Sequence, residues 1–165
     1  GTVASFYDAN IMLTQPNPPF SFYDSRCPIY THPRFLPGSR LVDCEIRDGI
    51  VCDGCELHRC TIEQSVIGIR TRVQPGTRIS RSVLLGADFY ETDDLAPARS
   101  PGPRLGIGRD VVLDRVIVDK NARIGDGVRL TNAEGVQDFE GNGYYIRNGI
   151  IVVPKDGVIA AGTTV

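Results

Sequence analysis

Large aliphatic residues recur along this chain every five or six positions. The first run is Ile46, Val51, Leu57, Ile62, Ile67, Val73, Ile79 and Leu84. A second, Val112, Val118, Ile124 and Leu130, and a third, Val153, Ile159 and Val165, step by six throughout. An α-helix turns by about 100° per residue, so a step of six rotates it by about 240° and scatters these side chains around the axis. Six is a multiple of two, and an extended strand keeps every second residue on one face. The pattern therefore predicts short strands rather than helices.

The same alternation points the residue two before each aliphatic inward. In the first run these are Cys44, Gly49, Cys55, Cys60, Ser65, Thr71, Thr77 and Ser82, all small. In the second, Ala122 and Val128 fit, Val116 is larger, and Asp110 breaks the rule. In the third, Gly157 and Thr163 fit and Ile151 is larger. A small residue beside a large aliphatic predicts sharp corners with little room. Asp48-Gly49, Asp53-Gly54, Pro75-Gly76, Asp126-Gly127 and Asp156-Gly157 supply turn chemistry at the same spacing. Hexapeptide periods of this kind mark a parallel β-helix, in which each coil buries its inward face only against its neighbours. A sandwich of short strands is the alternative, and the period says nothing about hand.

Two segments interrupt the repeat and read as loops leaving it: 86–106, rich in Pro, Gly and acids, and 131–149, rich in Gly and aromatics. Residues 14–40 hold six prolines, at 16, 18, 19, 28, 33 and 37, and read as a stiff connector. The opening "GTVASFYDANIML" resembles the end of a helix, with Val3, Phe6, Tyr7 and Ile11 able to share a face. The expected organisation is a helix end at 1–13, a Pro-rich connector at 14–40 and a β-helix over 41–165. A start of this kind is what an excised C-terminal part of a longer chain would show.

Composition narrows the chemistry. The formal net charge is −2, so no nucleic-acid surface is expected. No apolar run approaches the roughly 18 residues of a membrane span, and the opening has no signal-peptide pattern. The five cysteines include Cys52-x-x-Cys55 followed by Cys60, which resembles part of a zinc site. A second such pair is missing, His58 falls in the outward phase, and Cys44, Cys55 and Cys60 already occupy inward positions, so no metal site is read. An odd cysteine count fits a reducing compartment. "GIGRD" at 106–110 is read as a corner, since a dinucleotide motif needs a third glycine between strand and helix. Asp93-Asp94 are expected to be solvated. No catalytic constellation stands out. Of the eighteen basic residues only Lys120 and Lys155 are lysine, and both lie two positions after an inward valine. Phase alone leaves them open to being ordinary surface residues.

"SFYDANIMLTQPNPPFSFYDSRCPIYTHPRFLPGS", "SVIGIRTRV", "LLGADFYET", "GIGRDVVLDRVIVDKNARIG" and "GYYIRNGIIVVPKDGVI" resemble the C-terminal part of the ADP-glucose pyrophosphorylase family, almost end to end. "SVIGIRTRV" and "NAEGVQD" are most similar to the large, regulatory-type subunit of its plant and algal members. The resemblance implies an all-β, left-handed parallel β-helix, an exception to the usual right-handed crossover. It also implies a parent nucleotidyltransferase making ADP-glucose and pyrophosphate from ATP and glucose 1-phosphate. The family's nucleotide loop, its metal-binding aspartate with Mg2+, and its sugar-phosphate lysine belong to a catalytic domain with no counterpart in these residues. No catalytic residue, cofactor or metal is therefore expected in this segment.

By the same resemblance the segment assembles subunits, as a heterotetramer, and helps bind the activator 3-phosphoglycerate and the inhibitor phosphate. Lys120, in "DKNARIG", and Lys155 match the family's effector lysines. Arg34, in "YTHPRFLP", matches a phosphate-contacting arginine. His32 stands where the family often has glutamine, and a histidine there can still donate to an oxyanion. The expected partners are the catalytic domain of the same chain and the other subunits. The expected location is the plastid stroma for a plant or algal source and the cytoplasm for a bacterial one. Two other classes remain: a hexapeptide-repeat acyltransferase, for which only His32 and His58 could serve as base, and a purely structural assembly module.

Overall fold

A computed structural model describes residues 1–92 and 102–165. Its strands are short and arranged in three parallel sheets, the faces of a three-sided coil. Sheet A stacks Arg40–Val42, Glu56–His58, Arg72–Val73, Gly106–Ile107, Arg123–Ile124 and Val158–Ile159. Sheet B stacks Glu45–Arg47, Thr61–Glu63, Arg78–Ser80, Val112–Asp114 and Arg129–Leu130. The parallel part of sheet C stacks Ile50–Val51, Val66–Ile67, Val83–Leu84, Val116–Val118 and Ile150–Val153.

Register explains the period. Leu57 pairs with Val73, Val73 with Ile107, Ile107 with Ile124 and Ile124 with Ile159, so one aliphatic column runs down sheet A. Sheet B stacks Ile46, Ile62, Ile79, Leu113 and Leu130, and sheet C stacks Val51, Ile67, Leu84, Val118 and Val153. The three columns meet in one core, where Leu57, Ile62, Ile67, Val73, Leu113 and Leu130 are fully buried.

One expectation needs correcting. The inward residue on the fourth sheet B strand is Leu113, not Val112, which is only half-buried. The inward partner two positions earlier is then Val111, fully buried, and the anomaly at Asp110 disappears. The true steps are Ile107 to Leu113, six, and Leu113 to Val118, five.

The mixture of fives and sixes is a property of corners. Every uninterrupted B-to-C corner takes five residues, and every uninterrupted C-to-A corner takes six. The A-to-B corners take five residues in the first two coils and six thereafter, and every uninterrupted corner carries one residue in the left-handed backbone region. In five-residue steps it is the second after the inward aliphatic: Asp43, Asp48, Arg59, Gln64, Arg81 and Arg115. In six-residue steps it is the third: Gly54, Arg70, Gly76, Asp110, Asn121, Gly127, Asp156 and Gly162. An extra residue is thus absorbed by delaying the reversal, and the next strand begins with the same face inward. A non-glycine residue there is backbone strain that the stacked coils must sustain.

The small inward residues also serve the corner backbone. The Thr71 hydroxyl donates to the Gly68 carbonyl at 2.7 Å and Thr77 to Gly108 at 2.8 Å. Ser65 accepts from the Ser82 amide at 3.0 Å, and Ser82 accepts from the Val116 amide at 3.1 Å. Polar groups buried at the corners are thereby satisfied, which burial requires. Cys55 and Cys60 are buried as expected. Burial, and then contact with Cys44 at 3.5 Å between sulfurs, pushes the Cys60 thiol up to about 12.

The segment 131–149 is not a simple loop. Asp138–Glu140 and Tyr145–Arg147 form an antiparallel hairpin, and the second strand adds antiparallel to Ile150–Val153, covering that edge of sheet C. Tyr145-Ile146-Arg147 alternates, and Ile146 reaches the core. The first residues form a complete helix, Val3–Met12, with Thr2 and Ser5 in a reciprocal capping box. Tyr7 packs with Val83, Ile117, Ile150 and Val152 on the outer face of sheet C, supported by Val3, Ala4 and Ile11. Phe6, expected on that face, is exposed. Residues 14–39 contain neither helix nor strand, and the coil begins at Arg40.

The register assignment is testable. Leu113→Ala should cost about 2–5 kcal/mol, the range for a buried leucine, and Val112→Ala no more than about 1 kcal/mol. Urea unfolding of the two variants side by side gives the answer, and equal losses would contradict the register.

Candidate anion-binding corner

Lys120 and Lys155 occupy equivalent places on the C-to-A corner of adjacent coils. Each follows its inward valine by two and precedes the left-handed residue, Asn121 or Asp156. Val118 pairs with Val153, and the Asp156 amide donates to the Lys120 carbonyl at 2.9 Å. Adjacent parallel strands lie about 4.8 Å apart, so stacking alone brings the two side chains together. Both lysines reach one carboxylate. Lys120 Nζ lies 2.9 Å from Asp88 Oδ1, and Lys155 Nζ lies 3.1 Å from Asp88 Oδ2.

Asp88 comes from the excursion that leaves the preceding coil after Leu84. Gly86 opens it at φ +86, where a Cβ would lie 2.0 Å from the Ile69 carbonyl oxygen, so only glycine fits against that corner. The chain then follows the same corner. The Ala87 amide donates to Ile69, and the Tyr90 hydroxyl donates to the Gly54 carbonyl at 3.1 Å. Asn121 holds Asp88 twice: its Oδ1 accepts from the Asp88 amide at 2.8 Å and its Nδ2 donates to Asp88 Oδ2 at 3.1 Å. Hydrogen bonds from Lys120 and then Lys155 hold the Asp88 carboxyl well below the usual carboxylate range. The Asp88 hydrogen bond in turn raises the Lys155 ammonium, so this carboxylate and this ammonium are both charged at neutral pH.

A second ion pair fixes the same excursion. Glu91 is buried, accepts from Arg123 at 2.7 Å and accepts from the Leu105 amide at 3.1 Å. Burial opposes its ionisation, but the Arg123 guanidinium and the Leu105 amide outweigh that and lower its pKa. Asp93-Asp94 lie outside the described residues.

The structure therefore brings together Lys120 and Lys155, which share one phase of the repeat, and adds Asp88 and Asn121, which the sequence did not single out. Counting coils was the available signal, since the root of the excursion lies on the corner next to Lys120. Arg34 and His32 lie exposed on the connector, where Arg34 Nη1 donates to the His32 carbonyl at 3.3 Å. Among the described residues no hydrogen bond or ion pair joins them to the lysines. His58 stands on the second strand of sheet A, with Val42 as its register partner.

Coil, three parallel sheets and corner chemistry define a hexapeptide β-helix domain. A family model, the GLGC left-handed parallel beta-helix domain, matches residues 34–164. The chain belongs to this family, the C-terminal domain of ADP-glucose pyrophosphorylase, so the β-helix is left-handed; the family is that of the glucose-1-phosphate adenylyltransferases of glycogen and starch synthesis.

Glu91→Gln should destabilise the protein at neutral pH by about 1.5–3 kcal/mol, the range for a lost charge-assisted bond. A carboxylate with a lowered folded pKa contributes stability above its unfolded value, about 4.3, and loses it as pH falls through the folded value. The gap between wild type and Glu91→Gln should therefore close below about pH 4. Chemical unfolding across pH checks this, and a gap unchanged in acid would remove the charge from the account.

Proposed function

We propose that this chain is the regulatory and subunit-assembly domain of an ADP-glucose pyrophosphorylase, in which Lys120 and Lys155 bind small phosphate- or carboxylate-bearing effectors. The observation that carries this reading is the convergence of two ammonium groups, from adjacent coils, on a single carboxylate. A carboxylate held in that way stands in for what an effector would present. Lysine suits the task as a compact charge with three donors that can follow a moving anion. The effectors that fit are 3-phosphoglycerate as activator and inorganic phosphate as inhibitor. Arg34 and His32 supplement the site from the connector, and the rest of it comes from the catalytic domain of the same chain.

Partner surfaces support the assembly role. Tyr23, Tyr30 and Phe35 are more than nine-tenths exposed on the connector, an apolar display that suits contact with the catalytic domain or another subunit of a heterotetramer. The large-subunit character rests on "SVIGIRTRV" and "NAEGVQD", and a plastid location follows for a plant or algal source. A purely structural module is the second reading. What favours it is that Asp88 already satisfies both lysines.

Lys155→Glu in the full-length enzyme separates the two. Losing one charged hydrogen bond costs roughly 1.5–3 kcal/mol, so the 3-phosphoglycerate concentration for half-activation should rise about tenfold or more. Lys155→Arg should fall between, keeping charge but not shape. An unchanged activation curve in a normally melting protein would leave the lysine a structural residue.

A second expectation follows from where the chemistry lies. Residues 1–165 alone should release no pyrophosphate from ATP and glucose 1-phosphate above a buffer control. Turnover would place an active site within the β-helix.

A further inference from the structure

We infer that Asp88 is a built-in occupant of the anion position, and that an effector binds between Lys120 and Lys155 only by displacing its carboxylate. The inference rests on the reading of these lysines as the effector site and specifies how that site is regulated.

Four observations support it. Asp88 uses both oxygens on the two ammonium groups, one on each, as an incoming phosphate or carboxylate would. Its position is built rather than incidental, because Asn121, buried and in the left-handed conformation, grips both its amide and its carboxylate. Asp156 and Asp119 also bear on Lys155, so an anion arriving beside Asp88 meets further like charge. Finally, the Asp88 side chain is 39% exposed, so rotation about its own bonds takes the carboxylate into water while its amide remains on Asn121.

Displacement has a quantitative consequence. When only a fraction of molecules has the lysines free, the apparent dissociation constant is the intrinsic one divided by that fraction. Removing the Asp88 charge makes the competent fraction whole and removes one like charge from the effector's surroundings. Both effects tighten binding.

The test is calorimetric binding of inorganic phosphate to the full-length enzyme, as wild type, Asp88→Asn, Asp88→Ala, Lys155→Gln and the double variant Asp88→Asn with Lys155→Gln. Melting temperatures confirm folding, and the alanine variant covers the case in which the new amide rebinds the lysines. Asp88→Asn and Asp88→Ala should bind phosphate about fivefold more tightly, the effect of one unit charge at about 4 Å in water. Lys155→Gln should abolish the gain. If both Asp88 variants bind phosphate no better than wild type while Lys155→Gln weakens it, Asp88 merely orients the lysines. That result overturns the inference and leaves the effector site standing. A gain that survives Lys155→Gln would also overturn it, since the competition would not be at these lysines. If no variant alters phosphate binding, the effector site itself is wrong and the inference falls with it.

Discussion

Each coil of this protein can bury its inward side chains only against the coils above and below. Everything else follows from keeping that register. A slip of one residue turns a strand's inward set outward, so every corner must return the chain with the same face to the core. The corners do so with one left-handed residue whose place shifts with the step: second in Arg59 or Arg81, third in Arg70 or Asn121. Arginine has no special ease in that conformation. Its use there shows that stacking, with unbroken columns such as Leu57, Val73, Ile107, Ile124 and Ile159, outweighs local backbone preference.

The same constraint decides where chemistry can be placed. Inward positions are committed to aliphatics and to small residues that satisfy corner backbone. Strands cannot accept an insertion without losing register, so both excursions leave at corners, after Leu84 and after Leu130. A corner position is repeated once per coil at strand spacing, and the column on the C-to-A corner reads Asp53, Ile69, Gly86, Lys120 and Lys155, with the excursion leaving at Gly86. Two like charges next to each other in such a column repel, and Asp88 offsets that repulsion. The fold supplies the cations by repetition and the compensating anion by an excursion that repetition does not describe.

That difference sets what could be read from the amino-acid order. The β-helix, the burial of Cys55 and Cys60, and the shared phase of Lys120 and Lys155 all come from a period, and a period is visible without coordinates. A strict step of six back from Val118 falls on Val112, whereas the corner takes five and turns Leu113 inward. Val112-Leu113 offers two adjacent aliphatics, and periodicity alone cannot choose between them. The hairpin at 138–147 leaves no mark in the period, because its strands pair antiparallel, outside the repeat, although Tyr145-Ile146-Arg147 alternates as a strand does. Helix packing on sheet C was also legible in part. Val116-Ile117-Val118 and Ile150-Ile151-Val152-Val153 are apolar without alternation, the mark of strands buried on both faces. Asp88 gave no such signal, since its partners lie 32 and 67 positions away in sequence and meet only through coil stacking.

Asp88 and Glu91 lie three residues apart on one excursion and hold it to the coil through different cations. Asp88 binds the corner lysines, and Glu91 binds Arg123 and the Leu105 amide where the chain returns. Glu91 is buried and Asp88 is not, so the two ends of this short span differ in how readily they let go. On the proposed reading, an anion that took the lysines from Asp88 would loosen one attachment while Glu91 kept the other. By linkage, whatever changes the anion's affinity through the placement of the excursion must be changed equally when the anion binds. The excursion is therefore the element through which occupancy of the corner would be felt elsewhere.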